Sequence, residues 1–275
     1  MINTLCFSSG SVKGFCFFGA LKSLINNNYF NLKNINLFVG TSFGAIISFL
    51  LIINYTIDEL YNLDDLEFDF DIDLFLNNYG FNDGKILIGK LSNYLFNKLK
   101  VYDITFKELY NLTDKKIIIL GTNYTKCCET IFSVDETPTM SVIQSIRIST
   151  SIPLIFSPVL IDNEYYMDGA LINNIGIHLC NPKTTLGFKI NENNNNKLEN
   201  IYDLVMGTLN ILSEKNKICL KNYNIININN IDYNESLTNI NDVNKKKLYN
   251  HGYKQANIFL KNIYCDKINK IKKNK

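Results

Sequence analysis

A five-residue pattern, G-T-S-F-G at residues 40–44, holds the side chain best suited to covalent chemistry. It follows an apolar run at residues 35–39 and opens into a second apolar run, so it predicts a buried strand, a tight turn and a helix. Gly40 and Gly44 leave the room that such a turn needs. The Ser42 hydroxyl would then be exposed near the positive end of the helix dipole, which makes Ser42 our candidate nucleophile.

A serine hydroxyl needs a base before it attacks an ester, and the chain has two histidines, His178 and His251. His251 lies in a lysine-rich stretch that is typical of a solvated helix. His178 follows an apolar stretch that is typical of a structural histidine. Neither has the sequence setting of a catalytic base, although a Ser-His-Asp esterase or acyltransferase would need one of them beside the serine.

Asp168 is the carboxylate that stands out. It ends a strand-like aromatic run at residues 164–168 and is followed by Gly169. An Asp-Gly pair is often only a turn, but residues 161–164 already supply a hairpin turn a few positions earlier. We therefore interpret Asp168 as a side chain presented at a strand end. A lone aspartate can serve as base if it hydrogen-bonds the serine directly and burial raises its pKa.

A loop of small residues near the N-terminus is a candidate oxyanion hole. Residues 4–7 predict a first strand, and S-S-G-S-V-K-G at residues 8–14 joins it to a predicted helix. Such a loop points successive backbone N–H groups toward one concavity. We expect the N–H groups of Gly10 and Ser11 to be the donors, and Lys13 either to hold the loop or to meet a headgroup phosphate; an ordinary connecting loop is the alternative.

The three segments together resemble the patatin-like phospholipase family. Its signature is a glycine-rich loop after the first strand, then G-x-S-x-G, then D-G-A or D-G-G, and this chain has the corresponding residues 8–14, 40–44 and 168–170 in that order. Residues 105–109 and 143–159 resemble two further family segments. The resemblance extends from about residue 4 to about residue 190.

The resemblance implies an α/β fold with three αβα layers and a mainly parallel central sheet. It also implies a serine hydrolase, similar to phospholipase A or lysophospholipase, that cleaves lipid acyl esters through a Ser42–Asp168 dyad without a metal or cofactor. The substrate would be a phospholipid or another acyl lipid. A Ser-His-Asp esterase or acyltransferase and a catalytically weak lipid-binding module remain open.

Four residues depart from the family pattern or stand out from the composition. Ser9 and Ser11 occupy positions where the family usually has glycine, and a serine is strained wherever φ is positive. Phe43 stands where the family commonly has a small residue, so we expect it to narrow the acyl pocket. Arg147 is the only arginine in the chain, and we expect a structural role that needs guanidinium geometry, such as a bidentate pair with a carboxylate.

Length and periodicity predict the elements that position these residues. The chain has 275 residues, of which 46% are hydrophobic and 20% charged, enough for one α/β domain. We expect that domain at residues 1–265, with the motifs at 4–190 and a basic tail at 266–275. Residues 56–84 would be an insertion that caps the site. Strands are predicted near 3–7, 35–39, 116–121, 185–190 and 218–229, and helices near 14–27, 43–54, 87–99, 141–146, 198–216 and 242–262.

Composition also bears on partners and location. A net charge of +2 without interleaved basic and aromatic residues argues against a nucleic-acid partner. The apolar stretch at residues 43–53 is too short to span a bilayer. Seven cysteines without metal-ligand spacing indicate reduced thiols. We therefore expect a cytoplasmic protein, and the basic tail leaves open a weak peripheral contact with anionic lipid headgroups.

Overall fold

The computed structural model describes residues 1–63, 71–191, 220–229 and 240–273, together with residues 204, 205, 207, 208, 211 and 231. Side chains are described as far as Cys265. Within these ranges no helix is both long and apolar enough to cross a membrane.

One twisted sheet occupies the centre of the described chain. Its eight strands are β1 (Thr4–Phe7), β2 (Leu37–Thr41), β4 (Lys116–Asn123), β5 (Cys128–Ser133), β7 (Val159–Ile161), β8 (Glu164–Asp168), β9 (Thr185–Ile190) and β10 (Asn224–Ile228). Their order is β10-β9-β1-β2-β4-β8-β7, and β5 pairs with β4. The first five strands in this order are parallel, whereas β5, β7 and β8 pair antiparallel. A separate parallel pair is formed by β3 (Gly80–Asn82) and β6 (Leu154–Phe156).

Helices flank this sheet and bury its alternate side chains. They are α1 (Phe15–Asn26), α2 (Phe43–Ile52), α3 (Ile57–Tyr61), α4 (Ile72–Asn78), α5 (Lys85–Leu99), α6 (Phe106–Thr113), α7 (Val142–Ser149) and α8 (Asp242–Lys273). On β1, Leu5 and Phe7 join the large core cluster with α1 and α2, whereas Cys6 joins a second cluster with Ile175 and Ile177. A strand with both faces buried is typical of a covered parallel sheet. The predicted α/β fold with a mainly parallel sheet is confirmed.

Local sequence explains where the shorter helices begin. Thr105 accepts a hydrogen bond from the N–H of Glu108, and the Glu108 carboxylate accepts one from the N–H of Thr105, which is a capping box. Thr56 and Glu59 form the same arrangement at α3. At α7, the side chain of Ser141 accepts from the N–H of Gln144.

The last predicted helix ends at a different residue in the structure. The sequence predicts that the last helix ends near residue 262, but α8 continues to Lys273 and so into the predicted tail. No glycine or proline follows Gly252, so nothing in the sequence terminates the helix. The predicted helix at 198–216 lies largely outside the described residues, as does part of the insertion at 56–84. The described end of that insertion, β3, is fastened to β6.

Candidate active site

Ser42 lies at the junction of β2 and α2, in a backbone conformation that L-residues rarely adopt. Its φ is 54° and its ψ is −122°. A Cβ on Gly40 would lie 2.3 Å from the carbonyl oxygen of Gly44, and one on Gly44 would lie 2.5 Å from that of Phe7. Both glycines are therefore required by close backbone contacts, as the pattern predicts. Ser42 is only 6% exposed, however, so the expectation of an exposed hydroxyl was wrong.

Asp168 contacts the Ser42 side chain directly. The Ser42 hydroxyl donates to Oδ2 of Asp168 at 2.7 Å, and the N–H of Ala170 donates to Oδ1 at 2.8 Å. The sheet topology explains why Ser42 and Asp168 are in contact. Strand β4 lies between β2 and β8, and Gly121 of β4 pairs with Asp168. The ends of β2 and β8 therefore approach each other at one edge of the sheet.

Burial changes the acid–base chemistry of Asp168. The side chain is 1% exposed, and this burial raises the pKa of the carboxyl from 3.8 to about 7, while the hydrogen bonds from Ser42 and Ala170 oppose the rise. In the part of the chain that the structure describes, no lysine or arginine forms an ion pair with it. A carboxyl with a pKa near neutrality can both accept and return a proton.

Ser149 is a site residue for which the sequence analysis assigns no role. The N–H of Ser42 donates to Oγ of Ser149 at 2.8 Å, and the Ser149 hydroxyl donates to the carbonyl of Leu120 at 2.5 Å. Ser149 is fully buried at the end of α7. It therefore links the strained backbone of Ser42 to β4, and it accepts the hydrogen bond of the Ser42 N–H. The family-like segment 143–159 is the signal that contained it.

The small-residue loop is fastened beside this turn. Its N-terminal part is held by Asn174, a second residue that the sequence analysis leaves without a role. The N–H of Ser9 donates to the carbonyl of Asn174 at 3.0 Å, and the side chains of Ser9 and Asn174 also hydrogen-bond. The N–H of Ile190 donates to Oγ of Ser8 at 3.1 Å. The serine at position 9 thus has a structural function that glycine could not supply.

The expected oxyanion donors lie at the next two positions. Gly10 is extended, with φ −178°, whereas Ser11 has φ 45° and begins a 3-10 turn, Ser11–Gly14, that also contains Lys13. The backbone strain expected from the sequence therefore falls on Ser11. Among the described residues, none accepts a hydrogen bond from the N–H of Gly10 or Ser11.

Phe43 packs behind the loop. Its ring centroid is 6.1 Å from that of Phe15 and 6.4 Å from that of Phe18, both on α1. A Cβ on Gly14 would lie 2.1 Å from the Phe43 ring. Phe43 thus joins the aromatic cluster between α1 and α2 and packs against the small-residue loop at Gly14.

The hydrogen-bonding partners of both histidines are residues other than Ser42. Nδ1 of His178 lies 3.1 Å from the amide nitrogen of Asn173, and Nε2 lies 3.2 Å from a Glu129 carboxylate oxygen. His251 lies on α8, and its Nε2 is 2.7 Å from the carbonyl oxygen of Asn229. Within the described residues there is also no group of three or more His, Cys, Asp or Glu side chains that could hold a metal ion.

Arg147 has a structural role but not the expected carboxylate partner. Nε donates to the carbonyl of Asp83 at 3.2 Å, Nη2 donates to the carbonyl of Ser157 at 2.8 Å, and Nη1 donates to the hydroxyl of Ser151. The expectation of a bidentate carboxylate pair was wrong, because the loops around α7 present backbone oxygens to the guanidinium. Burial lowers the pKa of Arg147 to about 10.

The model of the family described as patatin-like phospholipase matches residues 5–180, which contain all three motifs. This chain belongs to the patatin-like phospholipase family. Over 94% of its length it is 30% identical to the probable lipid hydrolase 463L of invertebrate iridescent virus 6, covering 89% of that protein. It is also 30% identical to the uncharacterized protein R571 of Acanthamoeba polyphaga mimivirus, with 74% of each chain covered.

Solved structures share the fold at low sequence identity. VipD from Legionella pneumophila aligns with 95% of this chain and 67% of its own, at a TM-score of 0.60 and 17% identity. ExoU in complex with SpcU, from the type III secretion system of Pseudomonas aeruginosa, aligns with 95% of this chain and 52% of its own, at a TM-score of 0.52 and 15% identity. These similarities support the fold of the patatin-like chain.

Proposed function

We propose that this patatin-like protein hydrolyses acyl esters of phospholipids or other acyl lipids, with Ser42 as nucleophile and Asp168 as base. The observation that carries the proposal is the 2.7 Å hydrogen bond from the Ser42 hydroxyl to a buried carboxylate. The lipid substrate class is supported by the family and by the name of the viral relative, a probable lipid hydrolase.

In the acylation half-reaction, Asp168 takes the hydroxyl proton of Ser42 while Oγ attacks the ester carbonyl carbon. The tetrahedral intermediate then expels the alcohol of the lipid, which receives the proton from Asp168. The acyl group remains on Oγ as an ester. A carboxyl with a pKa near 7 suits both transfers at neutral pH, because neither the acid nor the carboxylate form is strongly disfavoured.

In the deacylation half-reaction, the same carboxylate takes a proton from water, and the hydroxide attacks the acyl carbon. Collapse of the second intermediate releases the fatty acid and returns the proton to Oγ of Ser42. The hydrogen bond from the N–H of Ala170 to Oδ1 keeps the other carboxylate oxygen directed at the reaction. The chain thus needs one base for both steps.

The loop after β1 is the proposed oxyanion hole. Ser149 occupies the N–H of Ser42, whereas no described residue takes the N–H of Gly10 or Ser11. Two fixed backbone donors stabilise a developing oxyanion without reorganising during the reaction. We also propose that Lys13, in the same turn, meets the headgroup phosphate.

The alternatives make different predictions. A Ser-His-Asp enzyme is disfavoured by the partners of His178 and His251, and a double His→Ala variant with normal turnover would exclude it. A catalytically weak lipid-binding module is favoured by one observation, the positive φ of Ser11 in the loop. That module would bind lipid vesicles without releasing fatty acid.

We propose one catalytic domain at residues 1–265, followed by the basic segment 266–275. A cytoplasmic location with peripheral membrane contact fits the lipid substrate and the lysines of this segment.

The deciding experiment measures fatty-acid release from a panel of phospholipids, lysophospholipids and glycerides. The protein is compared with Ser42→Ala and with Ser48→Ala, a matched control whose buried hydroxyl on α2 contacts the carbonyl of Val39. We expect turnover of at least one ester class that Ser48→Ala retains and Ser42→Ala loses. Equal turnover by the protein and Ser42→Ala would contradict the proposal.

A further inference from the structure

We propose that a surface cavity beside Arg147 binds the phosphate group of a phospholipid. The cavity has a volume of about 480 Å³ and is lined by Arg147, Ser157, Gln144, Tyr79, Leu160 and Tyr165, among others. None of these residues belongs to the Ser42–Asp168 pair or to the small-residue loop. Binding here can therefore be measured separately from ester hydrolysis.

Arg147 supplies a buried positive charge. The side chain is 3% exposed, and within the described ranges no carboxylate forms an ion pair with it. Its three hydrogen bonds go to neutral oxygens and use three of its five N–H groups. A buried charge is costly, and an anion in the cavity would add to the longer-range Coulomb attraction that the Asp83 carboxylate exerts on Arg147.

Asp83 is the acidic residue that lines the same cavity. Its carboxylate lies 2.6 Å from Nζ of Lys85 and also accepts a hydrogen bond from the N–H of Lys85. Arg147 contacts the backbone carbonyl of Asp83 instead of this carboxylate. The Asp83 carboxylate is therefore in direct contact with Lys85 and attracts Arg147 only over a longer distance.

Ser157 supplies a second polar group. The residue is 8% exposed, and its hydroxyl is buried without a hydrogen-bond partner. Buried hydroxyl groups are nearly always paired, so an unpaired one needs an explanation. The carbonyl of the same residue accepts from Arg147, and both residues line the cavity. A phosphate oxygen could accept from both side chains.

Close contacts hold the Arg147 guanidinium in place. Gly84 has φ 74°, and a Cβ there would lie 1.9 Å from Nε of Arg147. On another side, the guanidinium carbon lies 5.3 Å from the centroid of the Phe156 ring. A Cβ on Gly80 would lie 2.2 Å from the backbone nitrogen of Ser157. The segment around β3 therefore packs closely against the Arg147 side chain and the Ser157 backbone.

The rim favours a lipid over free phosphate. Tyr79, Leu160 and Tyr165 line the cavity yet are 64%, 55% and 38% exposed. Ile72 and Leu76, on the helix that leads to Tyr79, are 69% and 71% exposed. Exposed tyrosines beside apolar side chains are typical of surfaces that enter the headgroup region of a membrane. A free phosphate ion would gain nothing from this apolar rim.

The test measures vesicle binding on a Ser42→Ala background, so that no lipid is consumed. Vesicles of phosphatidylcholine are compared with vesicles of a neutral galactolipid, which lacks phosphate. We expect Ser157→Ala and Arg147→Lys to weaken binding to phosphatidylcholine by about tenfold, the loss typical of a hydrogen bond to a charged group. Leu160→Asp should also weaken it. Ser145→Ala and Leu112→Asp are the matched controls, a buried serine of α7 and an exposed leucine of α6.

Stability separates this proposal from a purely structural role. Removing an unpaired buried hydroxyl should leave the melting temperature of Ser157→Ala unchanged or higher without lipid. A folded Ser157→Ala variant that binds phosphatidylcholine like its parent would overturn the proposal. So would equal binding of both vesicle types. Saturable binding of inorganic phosphate alone, with no vesicle binding, would reject the lipid and leave only an anion site.

Discussion

Asp168 and Arg147 are two buried ionisable residues that both hydrogen-bond to Ser151. The N–H of Asp168 donates to the carbonyl of Ser151, and Arg147 donates to the Ser151 hydroxyl. Asp168 is 1% exposed and Arg147 is 3% exposed. For the residues whose placement is described, neither has an ion-pair partner of opposite charge.

The same burial has different consequences for the two groups. It raises the pKa of Asp168 to about 7, so this group can become neutral near physiological pH. It lowers the pKa of Arg147 only to about 10, so the guanidinium keeps its charge and needs acceptors around it. Burial without a direct ion pair thus gives an aspartate a pKa that suits a base. From an arginine it produces a fixed charge that can hold loops or attract an anion.

The largest expected effect comes from Asp168→Asn. The variant keeps the shape of the side chain but cannot accept the serine proton, so we expect turnover to fall by about 10²- to 10⁴-fold. Initial rates of fatty-acid release measure this loss. Asp114→Asn, an exposed substitution at the end of α6, should retain turnover. Near-normal rates in folded Asp168→Asn would show that another group is the base.

Asp168→Asn should also change how the stability of the protein depends on pH. The pKa of Asp168 is about 7 in the folded protein against an ordinary value of 3.8, so the folded state binds the extra proton between these values. This contribution to stability is complete below about pH 4 and is lost as the pH rises through 7. We therefore expect Asp168→Asn to melt at a higher temperature than the parent above pH 7, by an amount that shrinks on acidification. A constant difference from pH 4 to 9 would contradict the shifted pKa.

Gly10→Pro tests the oxyanion loop. It removes one proposed donor, and proline cannot adopt the φ of −178° found at this position. We expect turnover to fall by about 10²- to 10³-fold, the typical cost of losing one such donor. Gly89→Ala, on α5 with open space around it, is a folded control. A folded Gly10→Pro variant with near-normal lipase turnover would show that this loop is not the oxyanion hole.

Ser149→Ala should have an intermediate effect. It leaves the buried N–H of Ser42 and the carbonyl of Leu120 without their partner, which costs about 1–3 kcal/mol per group. We expect kcat to fall by about tenfold or more with little change in KM, and Ser149→Thr to restore part of it. Ser145→Ala controls for serine loss on the same helix. A drop in stability with unchanged kcat would assign Ser149 to folding alone.

Ser11→Gly should have the smallest effect. Glycine relieves the positive φ of 45°, a strain that typically costs about 1–3 kcal/mol, while the backbone donor remains. We expect higher thermal stability and turnover that is unchanged or slightly faster. A large loss of turnover would mean that the Ser11 hydroxyl itself takes part in the reaction.

The sequence predicted the parts of the site whose signal is local. Gly40, Ser42 and Gly44 lie within one turn, and the Asp-Gly pair at 168 ends one strand, so the local sequence was enough to select them as candidates. Ser149 and Asn174 were missed because their contacts join residues more than a hundred positions apart. The acceptors of Arg147 are mostly backbone carbonyls, which carry no residue identity. The burial of Ser42 was also not predicted, because the exposure of a residue depends on the assembled fold.

The most direct test of the Ser42–Asp168 assignment is the rate of covalent labelling by a fluorophosphonate probe between pH 5 and 9. We expect the adduct on the peptide that contains Ser42, at a rate that rises with pH and levels off above about 7, because the carboxylate form of Asp168 is the active base. Asp168→Asn should label slowly and without this pH dependence. Labelling that persists in Ser42→Ala, or an unchanged pH profile in Asp168→Asn, would contradict the account.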